Sequence, residues 1–251
     1  MKNDMFIQKI KIIVLSLCCL LGYCTTFAQT RQPFGKQMNM KVDFTKLQSN
    51  ITHYVMKVKN KKVGSWEWEV ERTGQTIRFK DISILDGQVR EDALITFDTR
   101  LMEVTAMEVK MKYNTAVMTG KIKASRAHLK ADYVLQRGEQ TRNKQIDTTI
   151  HHWVARPLLI GLMPYITWKA KQVPDIAVFS LASASFWKMQ IEVLGEETIQ
   201  VPAGTFQTQK IALRSQDPGS VSNIFYISKG FPRKLVRVDV VGRDMQIELV
   251  K

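Results

Sequence analysis

The side chains of this 251-residue chain that could do chemistry are few: four histidines, a file of alternating glutamates, three closely spaced serines and a pair of tryptophans. His151 and His152 stand side by side, but a zinc site takes three or four converging ligands. His53 and His128 are distant in sequence and no H-E-x-x-H spacing occurs, so neither a metal nor a cofactor is expected. Ser180, Ser183 and Ser185 fall in a strand-like alternation with no G-x-S-x-G turn to expose a nucleophile. Glu67, Glu69 and Glu71 could in principle supply acid–base catalysis. Three glutamates on one face of a strand read more simply as its wet side, opposite Trp66 and Trp68. No catalytic residue is assigned, and an enzyme is not expected. Trp66 and Trp68 could stack on a sugar or line an acyl pocket, although core packing is the commoner fate of large aromatics.

The elements that must position these residues are strands. Ser65 to Arg72 alternates Trp66, Trp68 and Val70 with glutamates, and Thr52 to Lys59 and Thr76 to Leu85 flank it. Asp86-Gly87 between apolar runs predicts a hairpin turn. Thr105 to Tyr113, Met118 to Ala124 and His128 to Leu135 each carry one apolar and one charged side, as a sheet packed on one face requires. Six further strands follow from Ile176 to Val250, and Arg31 to Asn50 reads as a loosely ordered lead-in. The segment Trp153 to Met163, with its P-L-L-I-G-L-M core, is apolar on all sides; Pro157 near its start and Pro164 after it predict one short buried helix. About a dozen antiparallel strands with one apolar helix make a mainly β protein. The arrangement expected is a curved sheet or partly closed barrel around or beneath the helix, with a sandwich as the alternative.

The N-terminus belongs to export rather than to the fold. Lys2, Lys9 and Lys11 precede the apolar run Ile12 to Cys24, and Thr26-Phe27-Ala28 offers a cleavage site, so residues 1–28 read as a signal peptide. Residues 29–50 are then the lead-in and 51–251 a single β-rich domain. Cys18, Cys19 and Cys24 all leave with the signal, which removes disulfide and thiol chemistry. The expected location is periplasmic or otherwise exported. The full chain carries a formal charge of +14, and the mature part retains about +12 once three lysines and Asp4 are removed. A basic balance favours anionic partners, such as a lipid surface or acidic glycans, and export excludes nucleic acid.

From Gly195 onward the residues Gly195, Glu197, Val201 to Phe206 (V-P-A-G-T-F), Lys210, Phe225-Tyr226 and Phe231 to Val236 resemble the C-terminal third of an exported bacterial β-rich family of unknown function. The architecture is also similar to the lipoprotein-carrier half-barrels of Gram-negative envelopes, which cup an acyl chain under helices. The first resemblance implies a periplasmic β-rich protein and supplies no catalytic residues. The second adds the expectation of a non-enzymatic binding or carrier module for an apolar or lipid-like ligand. Its ligand-binding residues would be Trp66, Trp68, Trp153, Leu158, Leu159 and Leu162, with Lys121, Lys123, Lys169 and Lys171 near a headgroup at the rim. The alternative is a structural or interaction protein that docks on anionic lipid or on a protein partner.

Overall fold

The computed structural model describes residues 42–250 apart from 102, 126, 152, 169–174 and 218–220. The expected signal peptide, most of the lead-in, Lys169 and Lys171 lie outside the described residues. The fold is a single curved sheet of fifteen strands. The N-terminal half is an antiparallel meander: β1 (Asn50–Val58), β2 (Lys61–Thr73), β3 (Thr76–Leu85), β4 (Val89–Asp98), β5 (Glu103–Tyr113), β6 (Ala116–Ser125), β7 (His128–Arg137) and β8 (Gln140–Thr149). After β9 (Trp153–Ala155), helix α1 (Arg156–Leu162) and a 3-10 turn (Met163–Tyr165), the chain returns through six more strands. These are β10 (Asp175–Ser180), β11 (Ser185–Val201), β12 (Gly204–Ser215), β13 (Asn223–Ser228), β14 (Leu235–Val240) and β15 (Met245–Leu249).

The halves join where β1 pairs with β15, so the sheet runs from β8 through β1 and β15 to β9. The edges β8 and β9 do not pair, and the barrel stays open there. A Lys144 ammonium on β8 reaches across to the Ala184 carbonyl in the β10–β11 turn at 3.0 Å. The expected partly closed barrel is therefore correct in class, with more strands than a dozen. The strand at Gln140–Thr149 carries almost no apolar alternation, because this edge strand brings a single apolar side chain, Ile146, to the core. Trp153–Ala155 is a strand pairing parallel with Ala177–Phe179, so the helix begins only at Arg156. Ser183 lies in the turn between β10 and β11, not in a strand.

Inward and outward side chains alternate clearly along β2, with Trp66, Trp68 and Val70 buried and the glutamates between them on the outer face. There Glu67 meets His53, Glu69 meets Lys80 and Glu71 meets Arg78. Helix α1 lies in the concavity, with Leu158, Leu159, Ile160 and Leu162 all buried. An apolar helix enclosed by a sheet has no wet side, which is why its sequence lacks amphipathic spacing. The stretch before β1 is less loose than expected. Leu47 is buried, Phe44 stacks on Phe97 at 5.7 Å, and Val42 bridges to Ile166. The Arg72 guanidinium straps it by donating to the Phe44 and Leu47 carbonyls.

The hairpin of β11 and β12 turns through Pro202 and Ala203, with Val201 opposite Gly204. Gly204 has φ of 129°, which a β-branched residue adopts only with strain. Gly204→Val is expected to cost more than ~1 kcal/mol, against the few tenths typical of surface changes. A denaturation midpoint equal to that of the parent protein would place the strain elsewhere.

Candidate functional site

The concave side of β1, β2 and β3 carries an aromatic file. Tyr54 on β1 faces Trp66 at 4.7 Å between ring centroids, Trp66 meets Trp68 at 5.8 Å, and Trp68 meets Phe79 on β3 at 5.5 Å. The file follows from register: Tyr54 pairs with Trp66, and Val70 with Phe79, so successive inward positions are aromatic on neighbouring strands. The Tyr54 hydroxyl donates to the Leu235 carbonyl at 3.1 Å and ties β1 to the start of β14. Burial pushes that phenol well above its ordinary value, so it stays a neutral donor.

Between this file and α1 opens a cleft of about 500 Å³. Its apolar wall is Tyr54, Trp66, Trp68, Val70, Ile160 and Leu235, and Gly161 brings the helix backbone onto Trp68. Its mouth lies between residues 48–52 and the β13–β14 loop. Among the described residues, Lys46, Arg233 and Lys234 are the charged side chains of the lining, and no carboxylate joins them. Arg233 is half-buried and, among the described residues, donates only to neutral acceptors: the Ile166 and Ser228 carbonyls and the Gln209 side-chain oxygen. Burial alone pushes its guanidinium below the ordinary value. A partly desolvated cation with neutral neighbours still has charge to offer an anion.

Of the six residues expected from sequence to bind a ligand, Trp66 and Trp68 line this cleft. Leu158, Leu159 and Leu162 are packed into the core. Trp153 stands elsewhere, edge-on to Phe179 and Phe186 at 6.0 and 5.9 Å. The face that α1 turns to the cleft is Ile160–Gly161, because a short buried helix cannot present all its leucines in one direction. Lys121 and Lys123 are exposed on the outer face of β6 and so do not stand at a rim of the cleft.

Beside the cleft is a polar cluster that sequence reasoning passed over. The Trp66 indole N–H donates to Asp81 Oδ1 at 2.6 Å. Asp81 and Ser83 on β3, and Glu91 on β4, all point inward, and Glu91 pairs directly with Ser83. Arg156 at the start of α1 faces them, its Nη2 donating to Asn223 Oδ1 at 2.8 Å and its guanidinium 5.8 Å from the Trp187 ring centre. Desolvation raises Asp81 to about 6, opposed by the Trp66 hydrogen bond and Arg156. Desolvation and then the Asp81 charge raise Glu91 to about 7. The Tyr133 hydroxyl, near Glu91, and Arg156 Nε are buried without a hydrogen-bond partner among the described residues. The signal was present in sequence: Asp81 and Glu91 occupy the apolar register of their strands, in line with Ile77 and Phe79 and with Ala93, Ile95 and Phe97. Neither carboxyl lines the cleft.

No family model matches this chain, and no curated protein matches it. Among solved structures it is similar to the crystal structure of a β-barrel-like protein of a domain of unknown function, DUF1849, from Brucella abortus. The TM-score is 0.52 at 13% sequence identity, over 82% of this chain and 97% of that one. At that identity the likeness is one of fold: a β-barrel-like architecture shared with a protein whose function is also unknown.

Proposed function

We propose that this chain is a non-enzymatic, exported binding module that holds an apolar, lipid-sized ligand with an anionic end. The observation that carries this reading is the cleft: about 500 Å³, walled by aromatic and aliphatic side chains, with cations and no carboxylate among the described residues of its lining. Ligand sites of this size that are mainly apolar with a few placed polar groups bury most of a small ligand. Each CH₂ of an acyl chain taken from water contributes ~0.8 kcal/mol, so a chain of about ten or more carbons supplies roughly the energy of micromolar binding. Arg233 and Lys234 at the mouth then prefer a carboxylate or phosphate end over an alcohol.

The buried carboxyls do not alter this reading. Asp81 and Glu91 face Arg156, and the Trp66 ring stands between Asp81 and the cleft. A substrate in the cleft would meet an indole before it met an acid.

The test is displacement of a fluorescent fatty acid from delipidated protein. A saturated fatty acid should compete, and the alcohol of equal chain length should compete several-fold more weakly. Thr52 is half-buried and lines the cleft, so Thr52→Trp fills it from the β1 side; displacement should be lost while the circular dichroism stays that of the parent. Absence of binding by any acyl ligand, or binding indifferent to Thr52→Trp, would remove the carrier reading.

A further inference from the structure

The two most exposed large apolar residues among those described are Phe231, at 71%, and Ile51, at 55%, and both stand at the mouth of the same cleft. A single exposed apolar side chain is ordinary, but two flanking one opening form a patch. Phe231 sits in the β13–β14 loop, in the run Lys229-Gly230-Phe231-Pro232-Arg233-Lys234. Across the opening, Ile51 is the second residue of β1, paired with Glu69 on the outer face of β2, and Lys46 lies just upstream. Lys229 pairs with Glu196 and Lys46 with Asp43. Arg233 donates only to neutral groups, and no ion pair engages Lys234 among the described residues.

An aromatic tip with cations beside it, around an opening to an apolar interior, matches the chemistry of a bilayer boundary: headgroup charge outside, hydrocarbon a few ångströms deeper. We propose that this mouth docks on a lipid surface bearing anionic headgroups, with Phe231 and Ile51 entering the acyl boundary and Arg233 and Lys234 against the phosphates. A second copy of the chain is a poor occupant, since two basic mouths repel. The proposal rests on the mouth and not on what fills the cleft.

Co-sedimentation of the purified protein with phosphatidylglycerol–phosphatidylcholine vesicles, against phosphatidylcholine alone, tests it. Partition should favour the anionic vesicles and fall steeply with added salt. Lys234→Glu replaces one cation by an anion and should lower partition by about fivefold or more, since each surface cation contributes about that factor. Phe231→Ser should lower it further, with an unchanged thermal midpoint because Phe231 is exposed. Equal partition to both vesicle types, partition to neither, or indifference to both substitutions would overturn the proposal. So would a concentration-dependent rise in mass abolished by Phe231→Ser, which would make the patch a contact between copies. Vesicle partition without acyl displacement would leave docking and remove the carrier reading; acyl displacement without partition would do the reverse.

Discussion

Arg156→Met should destabilise the protein strongly at pH 8 and only weakly at pH 5. Arg156 is the cation that faces Asp81 and Glu91 beneath the helix. Removing one partner of a buried charge set costs roughly 3–5 kcal/mol, because the remaining charge has lost its compensation and cannot return to water. The remaining groups here are carboxyls already raised to about 6 and about 7, so in acid they escape the cost by taking up protons. Their folded values exceed their unfolded ones, so the parent protein itself binds extra protons when folded. That contribution is complete below the unfolded carboxylate range and is lost as pH rises through 6 to 7. Where one extra proton is held, unfolding free energy should fall by ~1.4 kcal/mol per pH unit. Urea midpoints between pH 5 and 8 should show this decline, steeper in Arg156→Met and flatter in Glu91→Gln. A pH-independent penalty for Arg156→Met would mean the three groups do not act as a set.

Gly161→Ala should also destabilise, although the substitution favours helix in isolation. Alanine is better than glycine in a helix interior by ~1 kcal/mol. A Cβ at Gly161, however, would overlap the six-membered ring of Trp68, which the sheet and Phe79 hold in place. Overpacking a filled core typically costs 1–3 kcal/mol, and the overlap here puts the expectation at the upper end, so the net loss is about 2 kcal/mol. The displaced Trp68 ring would also narrow the cleft, since it forms part of the wall. A melting temperature raised by Gly161→Ala would show that the helix can move off the sheet. The paired variant Gly161→Ala with Trp68→Leu should recover most of the loss if the overlap is its cause.

Much of the architecture was legible because it is written in side-chain period. Trp66 to Glu71 in β2 and Met107 to Tyr113 in β5 alternate apolar and charged residues, and that period of two follows from strand geometry alone. The hairpin at Gly204 was legible because its backbone demands a residue without Cβ. The helix announced itself by the opposite property, apolar residues on every side, which only enclosure explains. Where a segment barely touches the core, the period fades: β8 is an edge with one apolar side chain, Ile146, against the core, and could not be read. The strand Trp153–Ala155 was not legible for a related reason, since three residues are too few to show an alternation, whereas Pro157 marks the start of the helix that follows.

The site divides along the same line. Composition and order of residues by themselves determined a basic, mainly β chain with one buried helix and a tryptophan pair on the inner face of a strand. Only the tertiary structure decided that Trp66 and Trp68 meet Ile160–Gly161 across an open cleft, that Phe231 and Ile51, far apart in sequence, flank one mouth, and that Asp81, Glu91 and Arg156 share one enclosure. The physical reason is that strand period fixes which face a side chain takes, a local property. Which faces come together depends on how far the sheet curls before β1 meets β15, and that is set by twist and packing summed over the fifteen strands.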